Sequence, residues 1–258
     1  MSSTRDFYDD LACDYHLMFA DWDASTARQA AVLDTLVRRR LGAGPQRVLD
    51  CSCGIGTQAI GLAGAGYDVV GSDLSPRAAA RAAVEAAERG LRLPTAAADM
   101  RRLPFAPSVF DVVVCADNSL PHLLSAADVS AALGEMRRVL RDGGLLVLTV
   151  RNYDELRRTR PASTPPQVKE TPDGRVITFQ LWHWHEDGER YDLEHFQVIP
   201  AGDAWTVRRR TATYWALSRP QLTRLLAGAG FADVTWHAPE ATGFHQPVVT
   251  CQVRRAST

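Results

Sequence analysis

At 258 residues, with 46% hydrophobic and 23% charged side chains, the chain is long enough to bury one sizeable core and has the composition of a globular protein, not of a disordered or fibrous one. A formal net charge of −1 argues against a nucleic-acid-binding surface, which shows as a basic domain or stripe. No apolar run approaches the ~18 residues that cross a bilayer, and the chain does not open on a basic stretch followed by an apolar one.

The first segment, Asp6 to Trp22, mixes aromatic, acidic and apolar residues. It reads as a helical or semi-ordered stretch that packs over something. Asp23 or Ser25 then caps a helix running to about Arg40, with Ala27, Ala30, Ala31, Leu33, Leu36 and Val37 on its apolar side. Gly42-Ala43-Gly44-Pro45 breaks it. Strands and helices now alternate: strand 47–52, helix 57–65, strand 67–72, helix 76–89, a short strand near 94–98, strand 110–115, helix 126–141 and strand 144–150. Near-continuous Val/Leu runs mark parallel strands covered on both faces, and the alternation predicts a doubly wound sheet.

After Val150 the character changes. Residues 161–166 (PASTPP) form a loop. Two strand-like runs, 175–185 and 190–199, are joined by the turn Glu186-Asp187-Gly188-Glu189. A third strand is expected over 205–217. Ser218-Arg219-Pro220 starts a helix to about Ala229, and strands near 231–237 and 247–254 close the chain. The predicted fold class is α/β: one domain over 1–258 with a doubly wound, Rossmann-like, seven-stranded sheet. An antiparallel β insertion, about residues 152–215, precedes the last two strands.

Several features read as structural. Five cysteines (Cys13, Cys51, Cys53, Cys115, Cys251) are odd in number and lack metal or redox spacing, which points to the cytoplasm. Arg38-Arg39-Arg40 ends a helix, where cations suit the dipole, and Arg208-Arg209-Arg210 falls on an exposed strand. In Trp182-His183-Trp184-His185 the tryptophans face the core and the histidines the other side. With His195 they lack the acid/histidine spacing of a zinc site, so no metal is expected.

The chemistry concentrates in Asp50-Cys51-Ser52-Cys53-Gly54-Ile55-Gly56-Thr57 and Gly71-Ser72-Asp73. A buried strand, a glycine turn, a helix and a second strand ending in an acid are how an open α/β sheet holds a nucleoside, the acid taking the ribose hydroxyls. Gly54-Ile55-Gly56-Thr57-Gln58-Ala59 also fits the relaxed dinucleotide fingerprint. Asp50 opposes that reading, because a carboxylate before the turn repels a pyrophosphate. S-adenosylmethionine has no phosphate and carries a sulfonium and an ammonium, which an acid attracts. Ligands bind beyond the carboxyl ends of parallel strands. Those ends supply Asp50, Asp73, Asp99-Met100, Ala116-Asp117-Asn118-Ser119 and Arg151-Asn152-Tyr153. Asn118 offers a donor and an acceptor, though it equally suits an Asx-turn. His122 is a cofactor neighbour or a packing residue. Arg151 suits a carboxylate. Trp22 is placed over the adenine or in packing, and His245 and Gln246 at the pocket rim.

These motifs carry a resemblance. The chain resembles class I S-adenosylmethionine-dependent methyltransferases, and more closely the glycine N-methyltransferase and glycine/sarcosine N-methyltransferase group. Asp50 to Thr57 is similar to the family's first motif, Asp117-Asn118-Ser119 with His122 to its Asn-Ser-x-x-His turn, and Gly143-Gly144-Leu145-Leu146 followed by Arg151-Asn152-Tyr153-Asp154 to its Gly-Gly-Leu-Leu and Arg-Asn-Tyr-Asp run. The likeness covers about Arg28 to Asp154. It implies S-adenosylmethionine as cofactor, held by Trp22, Arg28 (on the methionine carboxylate), Asp50, Cys53, Gly54, Gly56, Asp73 (ribose), Leu74, Asp99 and Met100 (adenine), Ala116 and His122. It implies Asn118, Arg151 and Tyr153 on an amino-acid acceptor, and residues 1–24 as a segment covering the cofactor. The family places tyrosines around the acceptor. Tyr8, Tyr15 and Tyr191 are the candidates, and His195 stands where a tyrosine is expected.

The expected reaction is methyl transfer to the nitrogen of a small amine such as glycine or sarcosine. It works by orientation and water exclusion, with no general base assigned. The alternatives are a natural-product N- or O-methyltransferase, an NAD-dependent oxidoreductase and a non-catalytic binder of the cofactor. The partner is a small-molecule substrate, with no nucleic acid and no membrane; self-association stays open.

Overall fold

The computed structural model describes residues 3–172, 174–202 and 204–253. The N-terminal segment forms α1 (Thr4–Leu11) and a single tight turn at Tyr15–Met18 before α2 (Trp22–Leu41). Asp21 caps α2, accepting from the Ala24 N–H at 2.9 Å. The expected caps Asp23 and Ser25 fall inside its first turns, since the extended backbone that a cap requires lies at Asp21.

The alternating region then gives β1 (Arg47–Asp50), α3 (Thr57–Gly64), β2 (Asp68–Asp73), α4 (Pro76–Glu88), β3 (Thr95–Ala97), β4 (Phe110–Cys115), α5 (Ala126–Val139) and β5 (Leu140–Thr149). Next come α6 (Tyr153–Thr159), β6 (Gln167–Thr171), β7 (Gly174–Trp184), β8 (Arg190–Ala201) and β9 (Ala204–Trp215). The chain closes with α7 (Arg219–Gly228), β10 (Phe231–His237), α8 (Pro239–Thr242) and β11 (Val248–Val253). One sheet has seven strands in the order β10-β11-β5-β4-β1-β2-β3. Within it β11 runs antiparallel to both neighbours, while β1–β5 pair in parallel. The expected fold class is what the structure shows.

Strand alternation divides the core. Val112, Val114, Leu145 and Val147 face the layer of α2, α3 and α4. Val113, Leu146 and Leu148 face α5 and α7. Every one of these is at most 1% exposed, which is why β4 and β5 read as unbroken apolar runs.

The insertion is a four-stranded antiparallel sheet, β6-β7-β8-β9. Its edge strand β6 and the helix α6 lie outside the elements the sequence predicts. Residues 167–171 (QVKET) hold a single apolar side chain, Val168, and it is exposed, so they lack the pattern that marks a strand. The sheet lies over the carboxyl ends of the large one. β7 touches the Tyr15–Met18 turn, and β9 touches α1 and the Leu120–His122 turn. Arg208 and Arg209 lie on an exposed stretch of strand, as expected, and Arg210 departs from it. Arg210, its side chain 9% exposed, pairs with Asp14 at 2.9 Å and donates to the Asp10 carbonyl at 2.8 Å. Arg208 also pairs with Asp14. Arg208 and Arg210 clamp the N-terminal segment to the insertion, while Arg209 pairs with Glu194 within it.

Candidate active site

Between the carboxyl ends of β1, β2 and β4 and the N-terminal segment lies a cavity of about 400 Å³. Its floor is the turn after β1. Gly56 adopts φ +98°, and a Cβ there would come within 2.7 Å of Ile60, so only glycine lets α3 start at that point. Asp73, at the end of β2, accepts from the Gly54 N–H and the Ser75 N–H, each at 2.8 Å. Burial pushes its carboxyl up to about 6. Asp50 is fully buried. Burial, with the charges of Asp73 and Asp117 adding, pushes it up to about 8, and its Oδ2 has no hydrogen-bond partner. Clustered carboxylates of this kind invite a cation. The donor set therefore fits a ligand that carries positive charge and a ribose, and it opposes a pyrophosphate.

The rim is closed by aromatic residues. Tyr8 and Tyr15, both lining the cavity, come from the N-terminal segment. The Tyr8 hydroxyl lies 2.8 Å from His122 Nε2, and the His122 ring packs 4.1 Å from that of Tyr214. Burial, with Arg151's charge adding, holds His122 down at about 3, so it is neutral.

The turn after β4 is strained. Asp117 and Asn118 adopt φ +52° and +64°, a conformation that non-glycine residues hold only where surroundings impose it. Thr149 imposes it here: its Oγ1 takes the Asp117 N–H at 2.8 Å and its carbonyl the Asn118 N–H at 3.1 Å. Asn118 is not a local Asx-turn. Its Nδ2 donates to the Tyr153 hydroxyl at 2.9 Å and its Oδ1 accepts the Arg151 N–H at 3.1 Å.

Arg151 is half-buried. It donates to the Tyr191 hydroxyl at 2.8 Å and to Gln180 Oε1 at 3.4 Å, and stacks over Trp182 and Tyr214. Among the described residues its guanidinium is held by hydroxyl, amide and rings, not by a carboxylate. Tyr191 packs face to face with Trp182 and Tyr214. Beside this wall opens a cleft of about 500 Å³ whose lining includes Asp117, Arg151, Gln180, His195 and His245. Asp117 lines both this cleft and the first cavity. Gln58 donates to its Oδ2 at 2.8 Å, and His245 Nε2 lies 3.2 Å from its Oδ1.

Of the residues singled out from the sequence, Cys53, Gly54, Asp73, Leu74, Asp99, Met100 and His122 line the first cavity. Asp99 is tied to Arg101, which also pairs with Asp128. Asp50, Gly56 and Ala116 are buried behind the lining. Two residues stand elsewhere. Trp22 does not line the cavity; its Nε1 donates to Thr57 Oγ1 at 2.9 Å, and its ring lies under Arg81 and Arg89. That is the packing role. Arg28 is exposed and donates to Ser25 Oγ, because the face of α2 turned toward the site carries Ser25 and Gln29 instead. Asn118, Arg151 and Tyr153 come together, with Tyr191, in one hydrogen-bonded cluster. Tyr214, Trp182, Gln180 and Asp117 were not singled out as site residues. Asp117 was within reach, standing at the end of a parallel strand. The other three needed the inward face of the insertion to be known.

A profile described as a methyltransferase domain matches residues 48–144. The glycine/sarcosine N-methyltransferase of Aphanothece halophytica is 34% identical over 210 residues, 79% of this chain and 72% of the relative. That of Parasynechococcus marenigrum is 40% identical over 137 residues, 53% of this chain and 48% of the relative. The chain thus spans about half the length of one curated relative and nearly three quarters of the other. Among solved structures, CalS10 with S-adenosylmethionine bound, an amino pentose methyltransferase from Micromonospora echinaspora, superposes with a TM-score of 0.71 at 20% identity, covering 88% of this chain and 91% of that one.

Proposed function

The chain belongs to the class I S-adenosylmethionine-dependent methyltransferases, and from that premise we propose that it methylates the nitrogen of a small α-amino acid. The observation that carries the reading is the pairing of opposite charges in the acceptor cleft. Arg151 presents a guanidinium without a carboxylate partner, and Asp117 presents a mostly buried carboxylate, side chain 16% exposed, that also borders the cofactor cavity. An amino-acid zwitterion supplies the complement of both. The bidentate fork of an arginine suits the carboxylate, and Asp117 draws the amino group toward the cofactor side.

When bound, S-adenosylmethionine supplies an electrophilic methyl group on a sulfonium. Asp73, Asp99, Met100 and the Gly54 turn are the residues to hold its nucleoside, and Asp50 and Asp117 balance its positive charge. Tyr8, Tyr15 and Tyr214 exclude water from the junction. The amine loses a proton before it can attack. Asp117 accepts it or passes it to His245, which is 45% exposed and opens to solvent. Asn118 and Tyr153 brace the Arg151 backbone and Tyr191, so the carboxylate clamp holds its orientation.

Mass spectrometry after mixing protein, S-adenosylmethionine and a panel of amines including glycine and sarcosine tests this. The expected result is a methylated amino acid with S-adenosylhomocysteine, its formation slowed about 10- to 100-fold in Arg151→Ala. A methylated amine without a carboxylate, insensitive to Arg151→Ala, would support a second reading instead. This is N- or O-methylation of a bulkier small molecule, which the stacked wall of Trp182, Tyr191 and Tyr214 favours.

A further inference from the structure

His195 is 2% exposed, and neither of its ring nitrogens has a hydrogen-bond partner. A buried polar ring without partners is destabilising unless something completes it. Its neighbours on the inner face of the insertion sheet are all engaged. Gln180, paired with it across β7, accepts from Trp182 Nε1 at 3.1 Å and from Arg151. Arg210, paired with it across β9, is occupied by Asp14, the Asp10 carbonyl and Gln197. Gln197, two residues along the same strand and face, donates to the Asp14 carbonyl at 3.2 Å. Only His195 in this row is left turned to the cleft without a partner, and it lines that cleft together with Arg151.

We propose that His195 is a specificity residue that reads the side chain of the acceptor, and that this acceptor is an α-amino acid larger than glycine, with a short side chain ending in a hydroxyl or carboxamide. The proposal rests on the amino-acid reading above, with Arg151 on the carboxylate. Two features set the chemistry. The first is distance: directly paired strand residues stand with Cβ atoms about 4.5–5.5 Å apart, so a carboxylate on Arg151, which touches Gln180, leaves His195 one strand away. A short side chain bridges that span, and a glycine leaves it open in a cleft of about 500 Å³. The second is charge. Burial, with the charge of Arg210 adding, holds His195 down at about 4, so the ring is neutral and offers one donor and one acceptor. Arg210 opposite is already engaged by Asp14, so neither an anionic nor a cationic side chain finds a free counter-charge there.

The test compares acceptors of matched shape, threonine against valine and asparagine against leucine, with wild-type protein and His195→Phe. Both kcat/KM and calorimetric binding to the protein–S-adenosylhomocysteine complex are read. The polar member of each pair is expected to win by about 10- to 100-fold, because an apolar one leaves the imidazole unpaired. His195→Phe brings the ratio toward one, and His195→Gln, which keeps a donor and an acceptor, restores part of it. Unchanged S-adenosylhomocysteine affinity in both variants shows that the fold is kept. Methylation of amino acids with no polar preference in the wild type, with glycine the best acceptor, or with a preference that survives His195→Phe, overturns the role of His195 and leaves the amino-acid reading standing. If no amino acid binds or is methylated, the amino-acid reading and the role of His195 fall together.

Discussion

Arg151 and Asp50 show how single side chains are set to their tasks by what surrounds them. Arg151 is braced by Tyr191 and Gln180 and flanked by two rings, so its charge is free to meet a carboxylate. Charged hydrogen bonds of this kind contribute about 1.5–3 kcal/mol. Arg151→Ala is accordingly expected to lower kcat/KM for an amino acid by about 10- to 100-fold while leaving S-adenosylhomocysteine affinity in place, as calorimetry would report. Asp50 carries a pH signature. Its carboxyl is raised from 3.8 to about 8 by burial, then by Asp73 and Asp117, so between these values the native apoprotein binds a proton that the unfolded chain does not. Stability of the apoprotein therefore falls as pH rises across that window. A cationic cofactor favours the ionised form. Affinity for S-adenosylmethionine is expected to rise from pH 6 to 8 with release of about one proton, and S-adenosylhomocysteine, lacking the sulfonium, is expected to show a shallower slope. Titration calorimetry in buffers of different ionisation enthalpy measures this; equal proton release by the two ligands, or an unchanged slope in Asp50→Asn, would remove Asp50 from the role.

At the scale of elements, the site is completed by two parts that do not belong to the large sheet. α1 and the Tyr15–Met18 turn supply Tyr8 and Tyr15, and β7–β9 supply Trp182, Tyr191 and Tyr214. Arg210 joins the two through Asp14 and the Asp10 carbonyl. Arg210→Ala is expected to speed amide exchange over residues 4–18 without loosening β4 and β5. It should weaken S-adenosylhomocysteine binding by roughly tenfold, about 1.4 kcal/mol. Hydrogen–deuterium exchange with mass spectrometry distinguishes this from general destabilisation, in which β4 and β5 lose protection too. The alternating elements of the large sheet were legible because each carries a complete local signal. Ser75-Pro76 starts α4 with the Ser75 hydroxyl accepting from Ala78, and FDVVVC is apolar on both faces. β6 and the clamp role of Arg210 were not legible, since their meaning depends on partners far along the chain.

For the molecule as a whole, cofactor binding and folding are linked. A ligand held only by the native state at about 100 times its Kd adds ~2.7 kcal/mol, and in a chain of this size each kcal/mol moves Tm by about 2–4 °C. S-adenosylhomocysteine is expected to raise Tm by roughly 5–10 °C in a thermal-shift measurement, and NAD to leave it unchanged, because Asp50 at the β1 end opposes a pyrophosphate. A shift with NAD alone would contradict the assignment of the cavity. The doubly wound sheet, the glycine turn and the row of polar residues at strand ends are written locally in the chain, because period, propensity and turn chemistry act over a few residues. The chain also carried the choice of a cationic nucleoside cofactor, through the single position of Asp50. The packing of Trp22 against Thr57 and two arginines, the outward turn of Arg28, and the shared cleft of Asp117, Arg151 and His195 come from the assembled fold. Those facts depend on how the insertion and the N-terminal segment close over the sheet, and they rest on contacts between residues tens to hundreds of positions apart, which no local pattern records.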